Sequence, residues 1–314
     1  MAKPSYDVEA LIANVKRRVS VPTSQLTYTD QDFTDLANDE LQGTVVPLIM
    51  STRAEYFVDH YDVSSPADGV IPFPGGTVGN KVRSVCYMQQ SSPIILINLP
   101  QISLDVVAGV GFTNYNTLTG FYIEGNNLHL YPNTAVPTNT TIRIYYYKRT
   151  LVLAAPEKYG QIVSIDTGTN TVILDFVPSD WEIGTILNAV EGESPFNITS
   201  EETTITAVSS PTVVLSSVDD LEVGNYLSEE SYSAVPQVPV EAHAYLAQLT
   251  AAKCLEGLGD YNGMKAAIEK AMSLKESLLV MISNRVDGSP KKLVNPSGGL
   301  RTTAGLGRFW RGNY

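Results

Sequence analysis

The chain has 314 residues, of which 43% are hydrophobic and 17% charged, with a net charge of −12 and only two cysteines. That length predicts two or three domains, and the acidic balance excludes general nucleic-acid binding, because the surface repels phosphates. No run of about 18 apolar residues exists to cross a membrane, the N-terminus shows no apolar signal core, and Cys86 and Cys254 are expected to be two buried thiols made in the cytoplasm.

The charge is unevenly spread. Residues 285–314 hold six bases (Arg285, Lys291, Lys292, Arg301, Arg308, Arg311) against Asp287, so that tail is +5 and residues 1–284 carry −17. A basic tail on an acidic body points to docking elsewhere, on a neighbouring acidic surface or on DNA.

In chain order, Val8, Leu11, Ile12, Val15 and Val19 mark a first amphipathic helix over about Tyr6–Val19, ended by Val21-Pro22-Thr23. Thr29 reads as a helix cap, with acids in the turn that follows. Phe33, Leu36, Ala37, Leu41, Val45, Leu48 and Ile49 then share one helical face. Pro47 lacks a donor and presses on the carbonyl of Gly43, which predicts a kink or break between 43 and 47.

After His60 the pattern turns strand-like. Val70–Phe73, Lys81–Met88 and Ile94–Asn98 read as strands, and Ile102–Val107 as a short helix or strand. Phe121–Glu124 and Asn127–Tyr131 flank Gly125-Asn126 in a tight hairpin. Thr141–Lys148 is a further strand. Between Ala155 and Pro236 the sequence echoes itself. Val172-Ile173-Leu174, Asp180–Gly184 and Leu187 parallel Thr212-Val213-Val214, Asp220–Gly224 and Leu227, at an offset of 40 in every pair. Each copy follows a strand, Ile162–Ile165 or Ile205–Val208. Two such units side by side predict a pseudo-twofold barrel, with Asp180 and Asp220 serving turns rather than catalysis.

Pro239 opens a third helix over about 239–257, rich in alanine. Gly257 and Gly259 stop it, and Asp260 caps a fourth helix. Met264, Ala267, Ile268, Ala271, Leu274, Leu278, Met281 and Ile282 form its apolar face, and Gly288 and Pro290 end it. The terminal faces have to be covered, and packing them on each other makes the middle an insertion. The expected class is therefore α+β: a helical bundle from 1–60 and 237–288, a central antiparallel β region 61–150, a barrel-like unit 151–236 and an extended basic arm 289–314.

No catalytic residue, cofactor site or metal site emerges. His60, His129 and His243 lie in different elements without ligand spacing, and His243 is expected to be structural or exposed. Gly75–Lys81 superficially resembles a phosphate loop, but its spacing fails and Val82 stands where Ser or Thr is needed. It reads as a turn. Asn139-Thr140-Thr141 and Asn197-Ile198-Thr199 match glycosylation acceptors, which carry no weight without secretion.

Three stretches resemble the head-to-tail connector (adaptor, or neck) proteins of tailed bacteriophages. They are Phe33–Leu41 followed by Val46-Pro47-Leu48 and Glu55–Val58; Gly120–Asn126 with Leu128–Pro132; and Ile142–Arg149. The terminal helix pair and tail are similar too, whereas the β unit 155–236 departs from the simpler, mostly helical members. The resemblance implies a structural virion protein, not an enzyme. Its copies form a ring, dodecameric in such connectors, between the capsid portal and the downstream tail or nozzle proteins. Genomic DNA passes through the lumen, and no membrane is involved. It also implies that the C-terminal arm docks on the portal, here through Lys291, Lys292, Arg301, Arg308, Phe309, Trp310, Arg311 and Tyr314. Thirty extended residues span at most about 100 Å, enough to cross a neighbouring subunit. The alternative is a tail-associated carbohydrate- or receptor-binding protein using the β insertion, with glycosidase activity if two carboxyl groups stand about 5–10 Å apart in an aromatic-walled cleft.

Overall fold

The computed structural model describes residues 5–20, 27–103, 120–132 and 140–283. It is a mixed α+β structure of helices and antiparallel sheets, one of which closes into a six-stranded barrel.

Helix α1 (Val8–Val19) starts where the Asp7 carboxylate accepts from the Ala10 N–H at 2.8 Å, and it ends at Ser20, whose φ of 56° is left-handed. Helix α2 (Asp30–Glu40) begins with a reciprocal capping box. The Asp32 N–H donates to the Thr29 hydroxyl at 3.2 Å, and the Asp32 carboxylate accepts from the Thr29 N–H at 2.7 Å.

The strain expected from Pro47 is absorbed differently from a corner. Leu41–Val45 forms a π-helical turn, in which the Val46 N–H reaches back to the Leu41 carbonyl, and α3 (Val46–Arg53) continues with Pro47 in its first turn. Widening the register by one residue there removes the demand for a donor on Pro47 without ending the helix. The Gln42 amide also escapes the helix, donating to the Thr150 hydroxyl at 3.0 Å.

A 3₁₀ turn (Ala54–Phe57) leads into β1 (Val58–Ser64). Next come β2 (Val70–Pro72), β3 (Thr77–Ser91), β4 (Ile94–Leu99), β5 (Gly120–Glu124), β6 (Asn127–Tyr131) and β7 (Thr141–Lys148). They form a four-stranded sheet in the order β1-β7-β3-β4 and a three-stranded one in the order β2-β6-β5, antiparallel throughout. Ile71, Val85, Leu128, Leu130, Ile142 and Ile144, all buried, fill the space between them. The β5–β6 loop is Gly125-Asn126, with Gly125 at φ 58°, as a two-residue hairpin requires. Gly75–Lys81 is only partly a turn: β3 already begins at Thr77, and Gly79 and Asn80, both at positive φ, lie in an irregularity of its pairing with β7. Most of Ile102–Val107 lies outside the described residues, as does Asn139.

Strand β8 (Val152–Leu153) pairs in parallel with β15 (Tyr232–Ser233) and crosses beneath α2. There Asn38 acts as a surrogate strand: its side chain accepts from the Leu153 N–H at 2.7 Å and donates to the Leu153 carbonyl at 3.2 Å. Asn38→Leu should leave both backbone groups unpaired beside a buried side chain. The expected loss of unfolding free energy is about 2 kcal/mol, read from urea denaturation.

The barrel runs β10-β13-β12-β11-β14-β9, where β9 is Tyr159–Asp166, β10 Thr171–Leu174, β11 Ile186–Val190, β12 Ile198–Ser209, β13 Thr212–Leu215 and β14 Tyr226–Glu229. Exchanging the first three strands for the last three reproduces the same cyclic order. The hydrogen bonds repeat as well: Gly184 N–H to Ile205 carbonyl at 2.8 Å matches Gly224 to Ile162 at 2.9 Å, and Ile205 to Thr185 at 2.9 Å matches Ile162 to Asn225 at 2.8 Å. Gly184 and Gly224 share φ values of 95° and 99°, which only glycine adopts without strain. The uniform offset of 40 does not hold, however. The Leu174 N–H donates to the Pro211 carbonyl at 3.0 Å and the Leu215 N–H to the Asn170 carbonyl at 2.9 Å, so these strands are related by 41, while the two turn glycines are related by 40. The first copy carries one extra residue between β10 and its turn, which a search for a fixed period reads through. Trp181 and Leu221 occupy equivalent buried positions against the barrel core.

Pro239 is the N-cap of α4 (Val240–Gly257), and Asp260 precedes α5 (Tyr261–Ile282), accepting from the Gly263 N–H at 2.9 Å. Helix α4 contacts α1, α2 and α5, and its alanines at 242, 247 and 251 are fully buried. The Gln248 side chain accepts from Arg18 on α1 and donates to the Ala267 carbonyl on α5 at 3.4 Å. Most buried apolar residues of α1–α5 belong to one hydrophobic cluster, which also includes Tyr159, Val190, Phe196 and Tyr226 from the barrel side, while Ala252, Leu255 and Ala267 form a small separate one between α4 and α5.

Candidate interaction surfaces

The residues that drew attention in the sequence are dispersed. His60 lies on β1 with Nδ1 3.8 Å from Asp59, and His129 on β6 stacks on Tyr122 at 4.8 Å. His243 on α4 is wedged between Tyr6 and Phe196, with ring centroids 5.4 and 5.3 Å away. Cys86 and Cys254 are free and buried, and burial pushes the Cys254 thiol up to about 12. Among the described residues no group of histidine, cysteine and carboxylate side chains is arranged to hold a metal ion. No helix among them is long and apolar enough to cross a membrane. The arm residues Lys291, Lys292, Arg301, Arg308, Phe309, Trp310, Arg311 and Tyr314 lie outside the described residues.

Asp180 and Asp220 both occupy turns of the barrel. Asp180 is ion-paired to Lys158, whose hydrogen bond holds its carboxyl below the usual range.

Three surfaces stand out. The first is an acidic groove where α1 begins beside the barrel. Its larger lobe, about 880 Å³, is lined by Glu191, Glu193, Glu222, Tyr6, Pro195 and Tyr226. A smaller lobe of about 310 Å³ shares Gln161 and Tyr226 with it and adds Asp7, Glu9, Glu157 and Asp175. Among the described residues no Lys, Arg or His lines either lobe. Two buried tyrosines floor the junction. The Tyr159 hydroxyl accepts from the Glu9 N–H at 3.2 Å, and the Tyr226 hydroxyl donates to Asp7 at 3.4 Å. Burial raises both phenols, Tyr226 to about 12, so they stay protonated as donors near carboxylates. Segments far apart in sequence build this groove, and no local motif announces it.

The second surface is the outer side of α5. Tyr261, Ile268 and Met272, at 65%, 37% and 60% exposure, lie one above another at spacings of seven and four. This face is about a quarter-turn from the side that packs through Ala267, Ala271 and Leu278. Sequence reasoning put Ile268 and Met281 with the packed face; both are exposed.

The third is the β3–β4 hairpin, which ends in Ile94 and Ile95 at 56% and 41% exposure. Their sheet is braced across β1 and β7. Arg143 holds Asp62 in a two-pronged hydrogen bond of 2.7 and 2.6 Å, which lowers the Asp62 pKa. Lys148 reaches Glu201 at 2.6 Å and Asp59 at 3.4 Å.

In comparison with known proteins, no family model matches the chain and no curated protein matches it.

Proposed function

We propose that the chain is a structural virion protein of a tailed bacteriophage. Copies form a closed ring, dodecameric by the connector resemblance, that joins the capsid portal to the tail or nozzle and passes DNA through its lumen. In this reading the terminal helices act as one bundle, and the arm from Lys291 to Tyr314 docks on the portal. The observation that carries it is the outer face of α5. A row of exposed apolar side chains, Tyr261, Ile268 and Met272, stands on the last helix before the basic segment. An apolar helix seam of that kind is stabilised when another subunit covers it. Repetition around a closed symmetry lets weak contacts act together. The −17 of residues 1–284 supports DNA passage, since phosphates find few counter-charges on such a body.

Deleting residues 289–314 is the test. The shortened chain should keep its fold by circular dichroism and lose co-sedimentation with purified portal. Undiminished portal binding would contradict the arm's role.

The acidic groove favours a second reading, a tail-associated carbohydrate-binding protein, because Glu191, Glu193 and Glu222 line it together with Tyr6 and Tyr226. Aromatic faces and carboxylates in one cleft are what sugar recognition uses, and hydrolysis would need two of the acids in reach of one bond. Glycan-array binding by the full chain, abolished by Tyr6→Ala, would support it; no binding would dismiss it.

A further inference from the structure

The sheet β1-β7-β3-β4 has strand partners on neither outer side among the described residues. An open edge presents unpaired N–H and C=O groups, and proteins ordinarily guard it with charge, proline or a bulge. Strand β4, Ile94-Ile95-Leu96-Ile97-Asn98-Leu99, carries no charge and no proline, the irregularity of its ladder puts the extra residue, Gln89, on β3, and from Ser84 to Leu104 the sequence holds no charged residue at all. The opposite edge, β1, does carry charge, but each acid meets a base within the subunit: Asp62 pairs with Arg143, and Asp59 shares Lys148 with Glu201.

We infer that the β4 edge of one copy pairs with the β1 edge of the next, so that a single sheet runs from subunit to subunit. This rests on the ring reading and gives it an interface. Three features select a second copy as the occupant. The edges match in length, six residues against seven. Their sense matches too: with every neighbour in the sheet antiparallel, β4 and the next copy's β1 also run antiparallel, which continues the ladder. The third feature is charge. Copies that each carry −12 repel across most surfaces, and a strand without charge meeting one whose acids are ion-paired reduces that repulsion. Because the two edges differ, the contact is head-to-tail, the kind that generates rings when the rotation closes.

Side-chain alternation fixes the register class. Leu99 and Val63 face the core between the two sheets, so Ile97 and Ile95 share that side of β4, and Tyr61 shares it on β1. An antiparallel pairing that keeps the apolar face continuous sets Ile97 opposite Tyr61 and Ile95 opposite Val63.

Full-length chains carrying Ile97→Cys, Tyr61→Cys or both should be oxidised and run on non-reducing gels. The double variant is expected to give a covalent ladder, a mixture of the two single variants a dimer, and each single variant alone no cross-link. In parallel, Ile94→Lys/Ile95→Lys should reduce the solution mass of the wild-type oligomer to that of one 34.1 kDa chain. If the lysine variant does not fold, the cysteine pair decides. Self-linking by Ile97→Cys alone would overturn the head-to-tail arrangement in favour of β4 against β4. An oligomer that shows no cross-link and tolerates the lysines would overturn the inference while leaving the ring intact, and would assign the β4 edge to another occupant such as the chain's own residues 104–119. A wild-type protein that stays a single chain would overturn both.

Discussion

Replacing Phe196 with alanine is expected to lower unfolding stability by about 4 kcal/mol, the range for emptying a fully buried aromatic site. Phe196 is 1% exposed and sits at φ 61° in the loop between β11 and β12 of the barrel. Its ring meets Tyr6, just ahead of α1, edge-on at 5.6 Å, and stacks on His243 of α4 at 5.3 Å. One side chain thus ties the barrel to helices from opposite ends of the chain. Truncation removes buried area and both ring contacts, and the left-handed backbone limits how far the loop can collapse into the hole. Thermal unfolding followed by circular dichroism, with urea titration, measures the loss. A change under about 1 kcal/mol, the scale of a surface substitution, would mean the loop does not anchor the barrel.

The partner in that stack gives the second expectation, a pH dependence. Burial lowers the His243 pKa from 6.5 to about 4, against hydrogen bonds to the backbone of Val238 and Pro236 and the charge of Glu241, which act the other way. Its Nε2 is buried with no hydrogen-bond partner among the described residues. The folded protein therefore holds a neutral imidazole, while the unfolded chain takes up a proton near pH 6.5. The stability tied to this group is fully present above pH 6.5 and falls as the pH drops towards 4. The loss over that window is about 3 kcal/mol by linkage. His243→Phe keeps the stack on Phe196 and removes the titration. The difference between wild type and variant in urea midpoint should shrink or reverse between pH 7 and pH 4.5 in the variant's favour. Parallel pH profiles for the two proteins would show that His243 is solvated in the folded state.

Elements with strong local chemistry were legible in the sequence. Thr29 followed by Asp32 announces a capped helix, Gly125-Asn126 between alternating strands announces a hairpin, and the repeated turns around Gly184 and Gly224 announce a doubled β unit. What escaped depends on competition between residues far apart. Pro47 signalled trouble, but whether a helix breaks or widens into a π turn is decided by what packs around it. Here Leu41, Val45, Val46 and Ile49 are all buried in the common core, and Gln42 finds Thr150, so the helix is held through the defect. The extra residue in the first barrel copy was hidden because Val, Ile and Leu are interchangeable in a short strand. The matching hydrogen bonds of Leu174 to Pro211 and Leu215 to Asn170 fix which residues correspond. The acidic groove and the Tyr6–His243–Phe196 stack draw on three separate segments, and no pattern within one of them carries the signal. The neutral hairpin was present as an absence of charge over Ser84–Leu104, a feature that gains meaning once β4 is seen to lie at a sheet edge.

Electron microscopy of the purified full-length chain, with its mass in solution, addresses the central claim most directly. The expected result is a closed ring of identical subunits with the outer face of α5 covered by a neighbour. A homogeneous population of single 34.1 kDa chains at every concentration, with Tyr261, Ile268 and Met272 still facing water, would contradict it.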